Sequence, residues 1–141
     1  MTSDPDAHIA LGIELQLIPT EQGGRATPIG PLRRDGPQYR PNWGFEALGD
    51  PPAQTGAPVV SWEKSLVNPG DRMRAVIVAM YPEYWGTVSA GAALSMYEGR
   101  RECGRATVVW RAPTDWPVSV EDYARFDRWS STGVDGHSQE S

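Results

Sequence analysis

The chain has 141 residues, 39% of them hydrophobic and 22% charged, with a formal net charge of −5 and a single cysteine. That length gives one domain of ordinary size whose core needs no cross-links. Lone Cys103 excludes an internal disulfide framework, and His8 and His137, both near the ends, leave no Cys/His metal site of the usual spacing.

The acidity sits in the tails. Between His8 and Ala112 there are 11 Lys/Arg against 10 Asp/Glu, whereas the stretch after Ala112 carries six acids against Arg125 and Arg128. The body is therefore nearly neutral, and only local arginine clusters could serve a nucleic acid: Arg25, Arg33, Arg34 and Arg40, then Arg100, Arg101 and Arg105. No apolar run approaches the ~18 residues of a membrane span. Met1 to Asp6 lacks the basic and apolar regions of a secretory signal. Cytoplasm is the expected location, without metal, cofactor or membrane.

In chain order, residues 1–7 are expected to be a flexible N-terminus. Ile9, Leu11, Ile13, Leu15 and Leu17 then alternate with Ala10, Gly12, Glu14 and Gln16, the period of a half-buried strand. Gln22 to Gln38, rich in Gly, Pro and Arg, reads as a long loop. Trp43, Phe45 and Ala47 alternate again, and Gly49 to Pro58 is a Pro/Gly-rich connection. Val59 to Lys64 is a short strand, and Asn68-Pro69-Gly70-Asp71 a turn. Met73, Ala75, Ile77 and Ala79 form one face of the next strand. Val88, Ala90, Ala92, Leu94 and Met96 form another, Gly99 to Gly104 turns, and Ala106, Val108 and Trp110 close the series.

About six strands with no helical period between them exclude a parallel sheet, since crossover helices are missing. A sandwich or a closed barrel remains. After Ala112 the pattern changes. Ser119 followed by Glu121 and Asp122 resembles a helix start, and Val120, Tyr123, Phe126 and Trp129 recur every three residues. A short helix over about Val120 to Ser130 is expected to dock this stripe on the strands. Residues 133–141 read as a disordered tail.

Three patches resemble the third, C-terminal domain of elongation factor Tu. Gly23-Gly24-Arg25-Ala26-Thr27-Pro28 is followed by Tyr39-Arg40-Pro41 and Phe45. Pro69-Gly70-Asp71 is followed by Arg74 and Pro82. Glu98-Gly99 leads to Arg101, Gly104 and Val108. In order, they cover about Ile9 to Arg111. The resemblance implies an all-β fold, a six-stranded antiparallel β-barrel over residues 8–112, with 113–132 an extension holding the short C-terminal helix. It also implies contact with the backbone of aminoacyl-tRNA. The chain departs from the family pattern at Ala26 and Ala106, and Gly30 to Gly36 lengthens the first loop by two arginines. It has no Gly-x-x-x-x-Gly-Lys-Ser/Thr stretch, so no nucleotide binding or GTP hydrolysis is expected.

The expected function is a non-catalytic binding module engaging RNA backbone or a translation-related protein. The alternative is an interaction or decoy subunit imitating the elongation-factor surface for a GTPase, toxin or regulator. An enzyme is not expected, since no His lies within the barrel body and no Ser/His/Asp set is visible. The candidate contact residues are Arg25, Thr27, Arg33, Arg34, Tyr39, Arg40, Asn42, Arg101 and Arg105. A competing structural reading has Arg25 paired with a carboxylate or capping strand-end carbonyls, Thr27 and Tyr39 bonding at the barrel end, and the insertion idle. In either reading, changing Arg33 and Arg34 to Ala is expected to leave stability within about 0.5 kcal/mol. Tyr84 and Trp85, in a loop beside Pro82, are a second candidate contact surface.

Overall fold

The computed structural model of the chain describes residues 8–49 and 53–134. Strands β1 (His8–Leu17), β2 (Asn42–Gly44), β3 (Thr55–Gly56), β4 (Val59–Trp62), β5 (Arg72–Ala79), β6 (Ala93–Glu98) and β7 (Arg101–Thr114) are followed by helix α1 (Val120–Thr132). The strands form one sheet in the order β3-β2-β6-β7-β1-β5-β4, and every pair is antiparallel. The mostly-β class with one C-terminal helix stands. Of the expected flexible segments, 1–7 and 133–141, residues 1–7 and 135–141 lie outside the described residues, while Gly133 caps α1, its N donating to Trp129 O at 2.7 Å.

The strand count differs from expectation. Seven strands replace six, because Thr55–Gly56, inside the Pro/Gly-rich connection, pairs with Asn42 and Trp43. In the pairing order β3 and β4 are the two edges, yet only Ala57 and Pro58 separate them in the chain. On one side of this link Ala57 N donates to Pro41 O (3.4 Å) and Val59 N to Tyr39 O (3.0 Å). On the other, Val78 N donates to Pro58 O (3.1 Å) and Met80 N to Gly56 O (3.3 Å).

Two alternating runs are shorter than their periodicity. β2 stops at Gly44, and the chain turns at Glu46–Leu48, although Phe45 still points into the core against Trp85 with ring centroids 4.7 Å apart. Val88 to Ala92 is no strand, since β6 starts at Ala93. Here the carbonyls of Trp85 and Val88 turn toward Arg111, whose guanidinium donates to both at 2.6 Å. At the β6–β7 hairpin the turn is tighter than Gly99 to Gly104, because pairing already begins with Glu98 opposite Arg101. Trp85 is fully buried rather than a contact residue, while Tyr84 is exposed.

Two apolar cores lie on opposite faces of the sheet. On the inner face Leu11, Ile13, Leu15 and Leu17 meet Met73, Ala75, Ile77, Leu94, Met96, Ala106 and Val108. On the outer face Ala10, Val60, Val76, Val78, Trp110 and Ala112 meet Val118, Phe126 and Trp129. A bulge lets β7 serve both. Gly12 faces Trp110 but Ile13 faces Val108, so Val109 is the extra residue and Trp110 is turned to the outer face. The indole then lies across β1 so closely that a Cβ at position 12 would come within 2.3 Å of it, and only glycine fits there.

Helix α1 starts where the sequence indicates, with Ser119 Oγ accepting from Asp122 N at 3.1 Å. The aromatic stripe is corrected at its first member. At 100° per residue, positions 120 and 129 lie on opposite sides of a helix. Trp129 and Phe126 are buried against Trp110, Phe126 stacked on it and Trp129 meeting it edge to face, whereas Val120 is 82% exposed. Arg74 closes the far end, donating from Nε to Ser130 O (3.0 Å) and from Nη2 to Ser131 O (3.3 Å), where a cation also suits the helix dipole.

Candidate functional site

The nine sequence-predicted contact residues separate into distinct settings. Arg25, Thr27 and Tyr39 come together around Glu98, at the end of β6. The Glu98 carboxylate accepts from the Arg25 guanidinium and from Tyr39 Oη, the latter at 2.6 Å. Arg25 also donates to Thr27 O and Pro28 O, both at 3.1 Å. Burial, with the Glu98 hydrogen bond and charge adding to it, pushes the Tyr39 phenol well above its usual range. The loop carrying Arg25 is itself packed down, since a Cβ on Gly24 would lie 1.9 Å from Ile18 O.

The inserted loop is not idle. Ile29 and Val67 exchange backbone hydrogen bonds of 2.8 and 2.9 Å, and Leu32 N donates to Ser65 O at 2.6 Å, with Ile29 and Leu32 buried. Arg34 fastens this loop to the helix. Its Nε and Nη2 donate to Val60 O (3.2 and 2.8 Å), and Nη1 and Nη2 donate to Asp127 (3.0 and 2.7 Å). The guanidinium also sits over the Tyr123 ring, 4.2 Å from its centroid, and near Trp62 at 5.4 Å. Val60 is the residue that a bulge leaves without a partner in β5, so its carbonyl is available to a side chain. Burial would raise the Asp127 carboxyl, but hydrogen bonds from Arg34 and Ser61, with the charge of Arg34, outweigh it and hold the group below its usual range.

The others are separate. Arg33 is turned back on Asp35 in a bidentate pair at 2.9 Å, which lowers the Asp35 carboxyl and raises the guanidinium. Arg40 meets Gln38 at 3.1 Å, Arg105 meets Glu102 at 3.4 Å, and Arg40, Asn42 and Arg101 are exposed. Among the described residues, neither Arg40 nor Arg101 is ion-paired. The arginine loop therefore does not present four free guanidiniums, since Arg25, Arg33 and Arg34 are engaged within the chain.

Sequence reading missed a trough on the outer face of the sheet, of about 1340 Å³. Helix α1 covers one half of that face, and the other half is open. The open half crosses β5, β1, β7, β6 and β2, which at strand spacing is about 19 Å. Its floor is small and polar at Gly44, Ala93, Ser95 and Thr107, and Glu14, Gln16, Arg72 and Arg105 stand around it. Alternation along β1 does place Glu14 and Gln16 outward, but only the strand register sets Arg72 and Arg105 on either side of Gln16.

Cys103 is buried beneath the Glu98 cluster, and burial is the main reason that its thiol is pushed up to about 11. It is a packed thiol, not a nucleophile at neutral pH. Among the described residues no group of three His, Cys, Asp or Glu could hold a metal ion, and no helix is long and apolar enough to cross a membrane. No protein-family model matches the chain, and no curated protein matches it.

Proposed function

We propose that the chain is a non-catalytic binding module built on a barrel of the elongation factor Tu third-domain type, which docks a protein component of translation through its outer sheet face. Two observations support the barrel. The first and third motif patches meet in space, where Arg25 and Tyr39 converge on Glu98. The β3–β4 segment supplies both edges of the sheet and is hydrogen-bonded on one side to the stretch leading into β2 and on the other to β5 and Met80, which brings the two edges together and supports the barrel reading. The observation that carries the protein-docking reading is the charge of the open trough. Glu14, Glu46 and Glu63 share it with Arg72, Arg74 and Arg105, a balanced mixture suited to a protein surface and without the net positive charge that draws a polyphosphate chain.

A second reading, contact with RNA backbone, is favoured by Arg40 and Arg101, which have no carboxylate partner among the described residues. One titration separates the two. The whole chain is titrated with purified tRNA and, separately, with a purified elongation-factor-type GTPase, each at about 50 and 200 mM salt. The protein complex is expected, weakened by salt as exposed ion pairs are but far less steeply than a complex that releases counterions from a nucleic acid. Binding only to tRNA, weakened steeply by salt, would move the assignment to the RNA reading. Binding to neither would remove translation from the proposal.

A further inference from the structure

The trough has a more specific chemistry than mixed charge. Gln16 is opposite Arg72 on one side and Arg105 on the other, and Arg105 is opposite Ser95. One lateral row across four strands thus reads Arg72, Gln16, Arg105, Ser95. The next row, two residues along β1, has Arg74, Glu14 and Thr107.

The occupancy of these groups differs. Among the described residues Arg72 makes no ion pair, and Arg105 has only the 3.4 Å contact to Glu102 with its side chain 71% exposed. Such a pair contributes little and yields readily to a better partner. Arg74 is committed, to Glu63 at 3.3 Å and to the helix carbonyls. Glu14, its cross-strand neighbour, is exposed and has no ion pair among the described residues. The face therefore offers a cationic seat at the Gln16 row and an anionic seat at the Glu14 row.

The two seats are about 6.8 Å apart, the distance between alternate residues of any extended chain. An extended ligand repeats with that same period. The trough also exceeds the ~300–1000 Å³ typical of small-molecule pockets, and its floor carries short side chains at Ala93, Ser95 and Thr107, with the Tyr97 ring at its Gly44 side.

We propose that the trough seats an extended polypeptide segment with an acidic and a basic side chain two positions apart, the acidic one between Arg72 and Arg105 and the basic one at Glu14. This rests on the binding-module reading and adds the chemistry of the ligand. Both charges are recognised together, so neither a purely acidic nor a purely basic segment satisfies both seats.

The test uses the whole chain and capped octapeptides of Ser, Thr and Val holding Asp-x-Lys, Asp-x-Asp or Lys-x-Lys at their centre. Amide shifts in nuclear magnetic resonance spectra report binding. The Asp-x-Lys peptide is expected to shift Gln16, Ser95 and Thr107 and to bind about tenfold or more tighter than the other two. In the variant R72E/R105E, whose melting temperature should be unchanged because both residues are exposed, the Asp-x-Lys peptide should lose about tenfold while Lys-x-Lys gains. Equal or tighter binding of Asp-x-Asp would overturn the proposal in favour of a polyanion site, and so would displacement by an oligouridylate. No shift at millimolar peptide, or no effect of R72E/R105E, would overturn it outright. A GTPase complex that survives R72E/R105E would leave the binding-module reading standing while this inference falls.

Discussion

Replacing Arg34 by Ala removes the fastening between the inserted loop, the β4 bulge and helix α1. Three contributions are lost. The guanidinium donates twice to Val60 O, and a hydrogen bond from a charged group contributes about 1.5–3 kcal/mol. The ion pair to Asp127 is screened, with side chains 39% and 47% exposed, and is worth only about 0.2–1 kcal/mol. The contact with the Tyr123 face adds about 0.5–1 kcal/mol. Because one side chain makes all of them, they do not add fully, and a total of about 2–3 kcal/mol is expected. In a domain of this size that lowers the melting temperature by about 6–12 °C, measured by circular dichroism.

Arg33→Ala is the internal control, since among the described residues its side chain bonds only to Asp35 on the same exposed loop, and its melt should overlay that of the parent. The expectation that both arginines are idle is thereby divided between them. Acid supplies a second arm. Asp127 is held below its usual range, so its contribution is complete above about pH 4 and disappears as pH falls through the lowered folded value. Arg34→Ala should accordingly cost less stability at pH 3 than at pH 7. An Arg34→Ala melt identical to the parent at pH 7 would refute the fastening argument.

Further predictions concern the bulge and the thiol. Gly12→Ala should destabilise the fold by about 1–3 kcal/mol or more and weaken the near-ultraviolet tryptophan signal, because the new Cβ displaces the Trp110 indole against which Phe126 and Trp129 pack. An unchanged near-ultraviolet spectrum and melt would show that the indole does not lie over position 12. Cys103 should resist alkylation in the native state and react once the chain is unfolded. Its raised folded value means that its share of stability is intact below about pH 8.5 and is lost as pH climbs toward 11. Rapid alkylation of the folded protein would refute its burial.

Much of this architecture is legible in the residues. Alternation in β1 and β5 assigns Leu11 to Leu17 and Met73 to Ala79 to one face, because side chains along a strand repeat every two residues wherever the strand lies. The start of α1 is equally local, since its cap bond spans only Ser119 to Asp122. Pattern also misleads where it has no competitor in view. Val88, Ala90 and Ala92 alternate, but the run begins with the Val88 carbonyl turned to Arg111, more than 20 residues away, and only Gly91 and Ala92 bond to a neighbouring strand, at Val108. Phe45 keeps its inward direction while its backbone leaves the sheet.

The site was least legible. An arginine in a Gly/Pro-rich loop looks free because its partner is invisible in the neighbouring sequence. Arg25 meets Glu98 and Arg34 meets Asp127, 73 and 93 residues further along the chain. The trough has the same origin, since nothing in β1 alone indicates that Gln16 lies between Arg72 and Arg105. By itself the sequence determined what short-range periodicity and capping dictate: the strands, their faces and the helix start. Tertiary structure alone decided which charges are spent and which remain exposed, because that depends on strand register and on the bulges at Val60 and Val109. A shift of one residue in register would send a different set of side chains to the same surface.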